Sequence, residues 1–80
     1  MENKNYGNLA LSNNGFLFDT VTGNTYTLNK TGKVILEELI NGTESENIIS
    51  KIIDRFDITE NIAKMDVQQF MHNLKEMKLI

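Results

Sequence analysis

Residue types that usually carry chemistry are scarce in this sequence. There is one histidine, His72, and no cysteine, so a zinc or other transition-metal site would have to be built mainly from carboxylates. The acids Glu37-Glu38 and Glu44 with Glu46 lie near predicted helix ends or on polar faces, where they serve as capping and dipole partners. No glycine-rich phosphate loop, G-x-S-x-G or H-E-x-x-H motif is present. We therefore predict no enzymatic activity, no cofactor and no metal site.

Composition and charge narrow the class of protein further. The 80 residues allow one domain, close to the lower size limit for folding on a single core. Eight Lys and Arg against eleven Asp and Glu give a net charge of -3, which opposes the basic surface that nucleic-acid binding requires. No run approaches the roughly 20 apolar residues of a membrane span, and residues 1–7 do not resemble a signal peptide. We expect a cytoplasmic protein that binds neither nucleic acid nor membrane.

The elements that must position any site begin with a predicted sheet. Asn14-Gly15 is typical of a tight hairpin turn with two positive φ angles, and Gly23 marks a second turn. Residues 1–7 are predicted to be a flexible segment that precedes one domain over residues 8–80. Strand-like patterns lie on either side of the two turns, at residues 9–11, 16–18 and 24–28. These signals predict a three-stranded antiparallel meander.

After the third strand the apolar spacing becomes helical. Asn29 is a predicted N-cap, and Gly32 lies in the apolar stripe of the first helix, where the lack of a side chain permits close packing. Asn41-Gly42 is typical of a left-handed C-terminal cap.

Two further helix starts can be identified downstream. Thr43 and Glu46 match the capping box of a second helix. Thr59 is a predicted N-cap for a third helix that runs to about Lys78. The predicted fold class is therefore α+β, with a three-stranded antiparallel sheet followed by three helices.

The third strand is the most informative feature for function. It lies at an edge of the predicted meander and carries no proline, lysine or inward charge that would protect it. Such an edge can accept an extended peptide through main-chain hydrogen bonds, with specificity from neighbouring side-chain pockets. The alternative, which the pattern leaves open, is that the edge is short or covered by the chain's own N-terminus.

The third helix supplies the candidate pocket residues. Met71 and Val67 lie on one shoulder of its apolar arc and are candidates for a groove wall. For Phe70 and Leu74 the pattern leaves open whether they belong to the core or to the groove. Asp66, at the opposite margin, is a candidate for orienting a backbone N–H or a basic peptide residue, or else a solvated acid.

Several segments together resemble a known family. These segments are Gly15-Phe16-Leu17-Phe18-Asp19, Thr22 to Gly32, Asp66-Val67 with Phe70 and Leu74, and Leu79-Ile80. On these segments, the sequence from about Leu9 to Ile80 is similar to the PqqD family of peptide chaperones, also called RiPP recognition elements. Lys78 stands where this family commonly has glycine, and Leu36 where members often have an aromatic residue.

The resemblance implies a fold and a function. The fold would be winged-helix-like, and the leader segment of a ribosomally made precursor peptide would add as a strand along the third strand, against the third helix. The chain would then present the peptide to a modifying enzyme, often a radical enzyme that uses S-adenosylmethionine. The residues expected to bind the peptide are Thr25, Tyr26, Thr27, Leu28, Asp66, Val67, Phe70, Met71 and Leu74.

Two other interpretations compete with a peptide chaperone. A DNA-binding winged helix would need a basic recognition helix, whereas the second helix places Lys51 and Arg55 beside Glu46 and Asp54. A small homodimerising module would fill the same strand edge with a second copy, so the free protein could be a monomer or a weak homodimer.

Overall fold

The computed structural model describes residues 8–79, and the predicted flexible segment, residues 1–7, lies outside the described residues. The α+β prediction is confirmed, because an antiparallel sheet precedes three helices. Within the described range no helix is both long and apolar enough to cross a membrane. The elements in chain order are β1 (Leu9–Leu11), β2 (Phe16–Asp19), β3 (Thr25–Thr27), α1 (Lys30–Ile40), α2 (Ser45–Phe56) and α3 (Glu60–Glu76).

The sheet is an antiparallel meander in the order β1-β2-β3, as predicted. The first turn differs from the prediction of two positive φ angles. Gly15 has a positive φ, of +88°, but Asn14 does not. The Ser12 hydroxyl accepts hydrogen bonds from the backbone N–H groups of Asn14 and Phe16, at 3.3 and 3.1 Å. These bonds hold a longer loop in place of a two-residue turn.

The two faces of the sheet have different surroundings. Leu17 is fully buried on the inner face, whereas Phe16 and Phe18 are 42% and 44% exposed on the outer face. The inner face packs against the helices through a cluster that we call the sheet–helix core, whose buried members are Leu17, Leu36, Leu74 and Leu79. A second cluster, the helical core, joins the three helices through Val34, Ile35, Ile48, Ile52, Ala63 and Val67.

The start of α1 follows the sequence signals. Asn29 Oδ1 accepts the backbone N–H of Gly32 at 2.7 Å, which confirms the predicted N-cap. A Cβ atom at Gly32 would lie 3.1 Å from Cε1 of Phe70 on α3, so a larger residue there would have to displace the Phe70 ring slightly. Gly42, with φ of +85°, follows the C-cap residue Asn41 as predicted.

The predicted capping box at the start of α2 is wrong. The N-cap residue is Glu44, whose side chain makes no capping hydrogen bond. Thr43 instead donates its hydroxyl to Oε1 of Glu38 on α1, at 2.6 Å. The Thr43 hydroxyl is therefore directed at α1, and α2 begins one residue later than the motif predicts.

The ends of α3 are fixed by its own residues. Thr59 Oγ1 accepts the backbone N–H of Ile62 at 3.2 Å, which confirms the N-cap. At the other end Lys78 has a φ of +61°, so a lysine occupies the left-handed position that favours glycine. The Leu79 N–H then bonds the Leu74 carbonyl at 2.9 Å, which places Leu79 in the sheet–helix core.

Candidate functional site

The unpaired side of β3 can be identified from its hydrogen bonds. Tyr26 lies opposite Leu17 on β2, and the Leu28 N–H donates to the Gly15 carbonyl at 2.9 Å. Backbone groups of alternate residues point to opposite sides of a strand, so the N–H and C=O groups of Thr25 and Thr27 point away from β2. Among the described residues no strand pairs with this side.

The inner face of β3 and one side of α3 pack against the same core, and we call the region between β3 and Phe70 of α3 the cleft. Tyr26 and Leu28 are half-buried and pack against the sheet–helix core, as does Phe70 of α3. The side chains of Thr25 and Thr27 lie on the outer face and are exposed. A strand added to β3 would therefore place the side chains of one of its faces on this inner side of the sheet, beside Tyr26 and Leu28.

A small cavity lies where β3 leads into α1. It has a volume of about 180 Å³ and is bounded by the start of α1 and by one face of α3. Among residues 8–79, Asp66, which is half-buried, is the only charged residue that lines it. Its lining residues are Asn29, Thr31, Gly32, Ile35, Asp66, Gln69, Phe70 and Asn73.

Within residues 8–79, the Asp66 carboxylate makes no salt bridge and no side-chain hydrogen bond. The basic residues of α1 are directed elsewhere: Lys33 pairs with Glu37 at 2.8 Å, and Lys30 lines a different cavity. The cavity therefore holds a negative charge that the described part of the chain does not neutralise.

The two residues predicted for the groove wall, Val67 and Met71, both line a groove of about 650 Å³ between α2 and α3. Val67 is only 4% exposed and belongs to the helical core. Met71 is half-buried and packs against both the helical core and the sheet–helix core. Neither residue lines the cavity at the start of α1. Leu74 is fully buried in the sheet–helix core, so of the predicted α3 residues only Asp66 and Phe70 border the cavity.

The sequence prediction missed several lining residues of the cavity. Gln69 and Asn73 of α3 are linked there by a side-chain hydrogen bond of 3.1 Å. Together with Asp66 and Phe70 they follow the i, i+3, i+4, i+7 spacing of one helix face. This spacing can be read from the sequence, but on its own it indicates only a mainly polar helix face. The cavity becomes evident only when the position of α1 beside this face is known.

The sheet order also creates a second edge, at β1, which the prediction did not consider. The Ser12 N–H donates to the Phe16 carbonyl at 2.9 Å, so by the same alternation the backbone groups of Leu9 and Leu11 point away from β2. A groove of about 420 Å³ lies beside this edge, lined by Leu9, Leu11, Glu37, Glu38, Ile40 and Asn41.

The acids beside β1 are neutralised, in contrast to Asp66. Glu37 pairs with Lys33 at 2.8 Å, and Glu38 pairs with Lys51 of α2 at 3.5 Å. Glu38 also accepts the hydroxyl of Thr43. Within residues 8–79, the groove beside β1 therefore offers no free charge to a ligand, whereas the cavity beside β3 does.

Comparison with known proteins adds to this geometry. Residues 14–80 match the family model described as coenzyme PQQ synthesis protein D (PqqD). The chain belongs to the PqqD family. The match to PqqD includes β2, β3 and all three helices, but begins after β1.

A solved structure shares the PqqD fold seen here. It is described as lasso peptide synthetase B1 complexed with the leader peptide, and its sequence is 23% identical. The two superpose with a TM-score of 0.72 over 85% of this chain and 81% of that one. A search of curated protein sequences gave no match.

Proposed function

We propose that this PqqD-family domain binds the leader segment of a ribosomally made precursor peptide by strand addition to β3, beside α3. The domain presents the peptide to a separate modifying enzyme, such as a radical enzyme that uses S-adenosylmethionine, and performs no chemistry itself. The observation that carries the proposal is the outward-facing backbone of Thr25 and Thr27 next to the cleft of Tyr26 and Phe70.

Family membership and the structural neighbour support the choice of ligand. The similar solved structure is described as a complex with a leader peptide. The family match covers β3 and α3 and leaves out β1, so it favours the β3 edge over the β1 edge as the site.

The expected affinity follows from the few contacts that the edge offers. Thr25 and Thr27 present two N–H and two C=O groups, each worth about 1 kcal/mol net when it pairs. Two apolar peptide side chains that enter the cleft add about 3 to 5 kcal/mol, before the costs of association. Since a micromolar dissociation constant corresponds to about -8 kcal/mol, we expect micromolar or weaker binding by the isolated domain.

Thr27→Pro tests strand addition directly. The N–H of Thr27 points away from β2, so proline removes a donor to the added strand without removing a bond between β2 and β3. The probes are synthetic leader segments encoded by short reading frames beside the gene, titrated by calorimetry. We expect a loss of about tenfold or more in affinity, with an unchanged circular dichroism spectrum.

Thr27→Ala is the matched control, because it removes the side chain and keeps the N–H. It should bind within about threefold of the parent protein, since the Thr27 side chain lies on the outer face. Equal binding by the proline variant would exclude β3 as the site. Light scattering that shows concentration-dependent dimers, together with no peptide binding, would favour a homodimerising module.

A gel-shift experiment addresses the remaining competitor, a DNA-binding winged helix. Lys51 of α2 is paired with Glu38, which leaves Arg55 as the unpaired cation among the described residues of that helix. One such cation gives little attraction for phosphates. We expect no salt-sensitive shift of mixed-sequence DNA.

A further inference from the structure

The cavity at the junction of β3 and α1 has the chemistry of a site for a positively charged side chain. Asp66 supplies a carboxylate without a partner among residues 8–79, in a chain whose other acids beside a groove, Glu37 and Glu38, are paired with lysines. Partial burial strengthens the attraction of such a carboxylate for a cation relative to a fully solvated one.

The neighbouring groups also suit a cation. Gln69 donates its amide N–H to Asn73 at 3.1 Å, which leaves the side-chain oxygen of this lining residue available as an acceptor. Thr31 adds a hydroxyl oxygen, and the Phe70 ring forms part of the wall. Carboxylate, amide and hydroxyl oxygens beside an aromatic ring match the planar array of donors of a guanidinium group.

The position of the cavity relates it to a strand on β3. Asn29, which follows β3 and Leu28 directly, lines the cavity. Peptide residues opposite Tyr26 and Leu28 would have their side chains on the inner face, and these residues are two positions apart. The end of the inner face nearest to the cavity is therefore the Leu28 end.

We propose that Asp66 binds a basic side chain of the added peptide, arginine in preference to lysine. The apolar residue of the peptide enters the cleft beside Tyr26. The basic residue lies an even number of positions away from it along the peptide, toward the Leu28 end of β3. This inference rests on the proposed strand addition and specifies the class of peptide that the site selects.

The experiment begins with a phage-displayed library of random 15-residue peptides, selected on the immobilised full chain. We expect the selected sequences to contain an apolar residue and an arginine or lysine at a fixed even spacing. Selection on Asp66→Asn should lose the basic residue and keep the apolar one. The matched control is Asp54→Asn on α2, which makes the same change in net charge at an exposed residue and should keep both preferences.

Calorimetry on one selected peptide and its arginine-to-citrulline analogue then measures the coupling. Citrulline keeps the size of arginine and removes its charge. The parent protein should bind the analogue about tenfold more weakly, whereas Asp66→Asn should bind the two peptides equally. Equal binding of both peptides by the parent protein, or equal losses from Asp66→Asn and Asp54→Asn, would overturn the proposal.

The failure of this inference is distinguishable from failure of strand addition. Selected peptides that lose affinity for Thr27→Pro, yet show no basic residue at an even spacing, overturn only the role of Asp66. A selection whose peptides bind Thr27→Pro and the parent protein equally overturns both.

Discussion

The two edges of the sheet present similar backbone groups to different surroundings. At β1 the outward N–H and C=O groups belong to Leu9 and Leu11, whose side chains pack against the sheet–helix core. At β3 they belong to Thr25 and Thr27, whose side chains are exposed on the outer face. An added strand would find comparable main-chain partners at either edge, so hydrogen bonding alone does not choose between them.

The flanking helices make the difference between the edges. The acids that line the groove beside β1 are neutralised, because Glu37 and Glu38 already pair with Lys33 and Lys51. The cavity beside β3 retains the unpartnered Asp66. Selectivity between the two edges would therefore come from side chains next to the strand, while the strand itself would supply a general attraction.

The largest expected effect comes from truncating one inner-face residue on each edge strand. Tyr26 on β3 and Leu9 on β1 are both half-buried against the sheet–helix core. We expect Tyr26→Ala and Leu9→Ala each to lower the free energy of unfolding by about 2 kcal/mol, measured by urea titration. Only Tyr26→Ala should also weaken peptide binding, by about tenfold or more, because its ring borders the cleft.

Equal losses of peptide affinity in the two variants would remove the distinction between the edges. A loss in Leu9→Ala alone would move the site to β1. Both peptide titrations should be made under conditions in which at least about nine-tenths of each variant is folded. The folded fractions of the two variants should also be similar, so that unfolding does not reduce the apparent affinity of one more than the other.

A smaller effect is expected from the paired acid beside β1. Glu38→Gln removes the ion pair with Lys51 and weakens the hydrogen bond from Thr43. The free energy of unfolding should fall by about 1 kcal/mol or less, with peptide affinity unchanged. Asp66→Asn should show the reverse, a loss of affinity at constant stability. Glu37→Gln, which loses only an i, i+4 pair, is the control and should cost about 0.5 kcal/mol or less.

Local signals in the sequence predicted the fold well. The N-caps Asn29 and Thr59 could be predicted because each capping hydrogen bond joins residues only three apart in the chain. The capping box at Thr43 failed because α2 begins one residue later, with Glu44 as its N-cap, and the Thr43 hydroxyl bonds Glu38 of the preceding helix. A short motif does not record such a competing partner.

The site was predicted less completely than the fold. Helical spacing collects Val67 and Met71 on the same arc as Phe70, but it does not state which neighbour covers each part of the arc. In the structure Val67 and Met71 border the groove between α2 and α3, and Phe70 and Asp66 border the cavity between α1 and α3. A charged residue at Val67 would consequently be buried in the helical core, and its effect on binding could not be separated from unfolding.

The smallest expected effect concerns Asp19, which serves both edges. Asp19 is the buried acid at the end of β2, and its Oδ1 accepts the backbone N–H of Val21 at 2.9 Å and that of Thr22 at 3.4 Å. On the other side the Asn8 side-chain amide donates to it at 3.4 Å. The carboxylate therefore holds the turn into β3 and the residue before β1 together, and Asp19→Asn should not favour either edge.

The pH dependence of this variant tests the assignment. The N–H of Val21 lowers the pKa of Asp19, against burial, which raises it, so the folded-state pKa lies below the unfolded value. The stabilisation is complete above the unfolded pKa of about 4 and is lost as the pH falls through the folded value. Asp19→Asn should therefore lower Tm at pH 6, and the difference from the parent protein should shrink at pH 3. Asp54→Asn, at an exposed residue on α2, is the control. A difference at pH 3 as large as at pH 6 would show that Asp19 acts through its shape and not its charge.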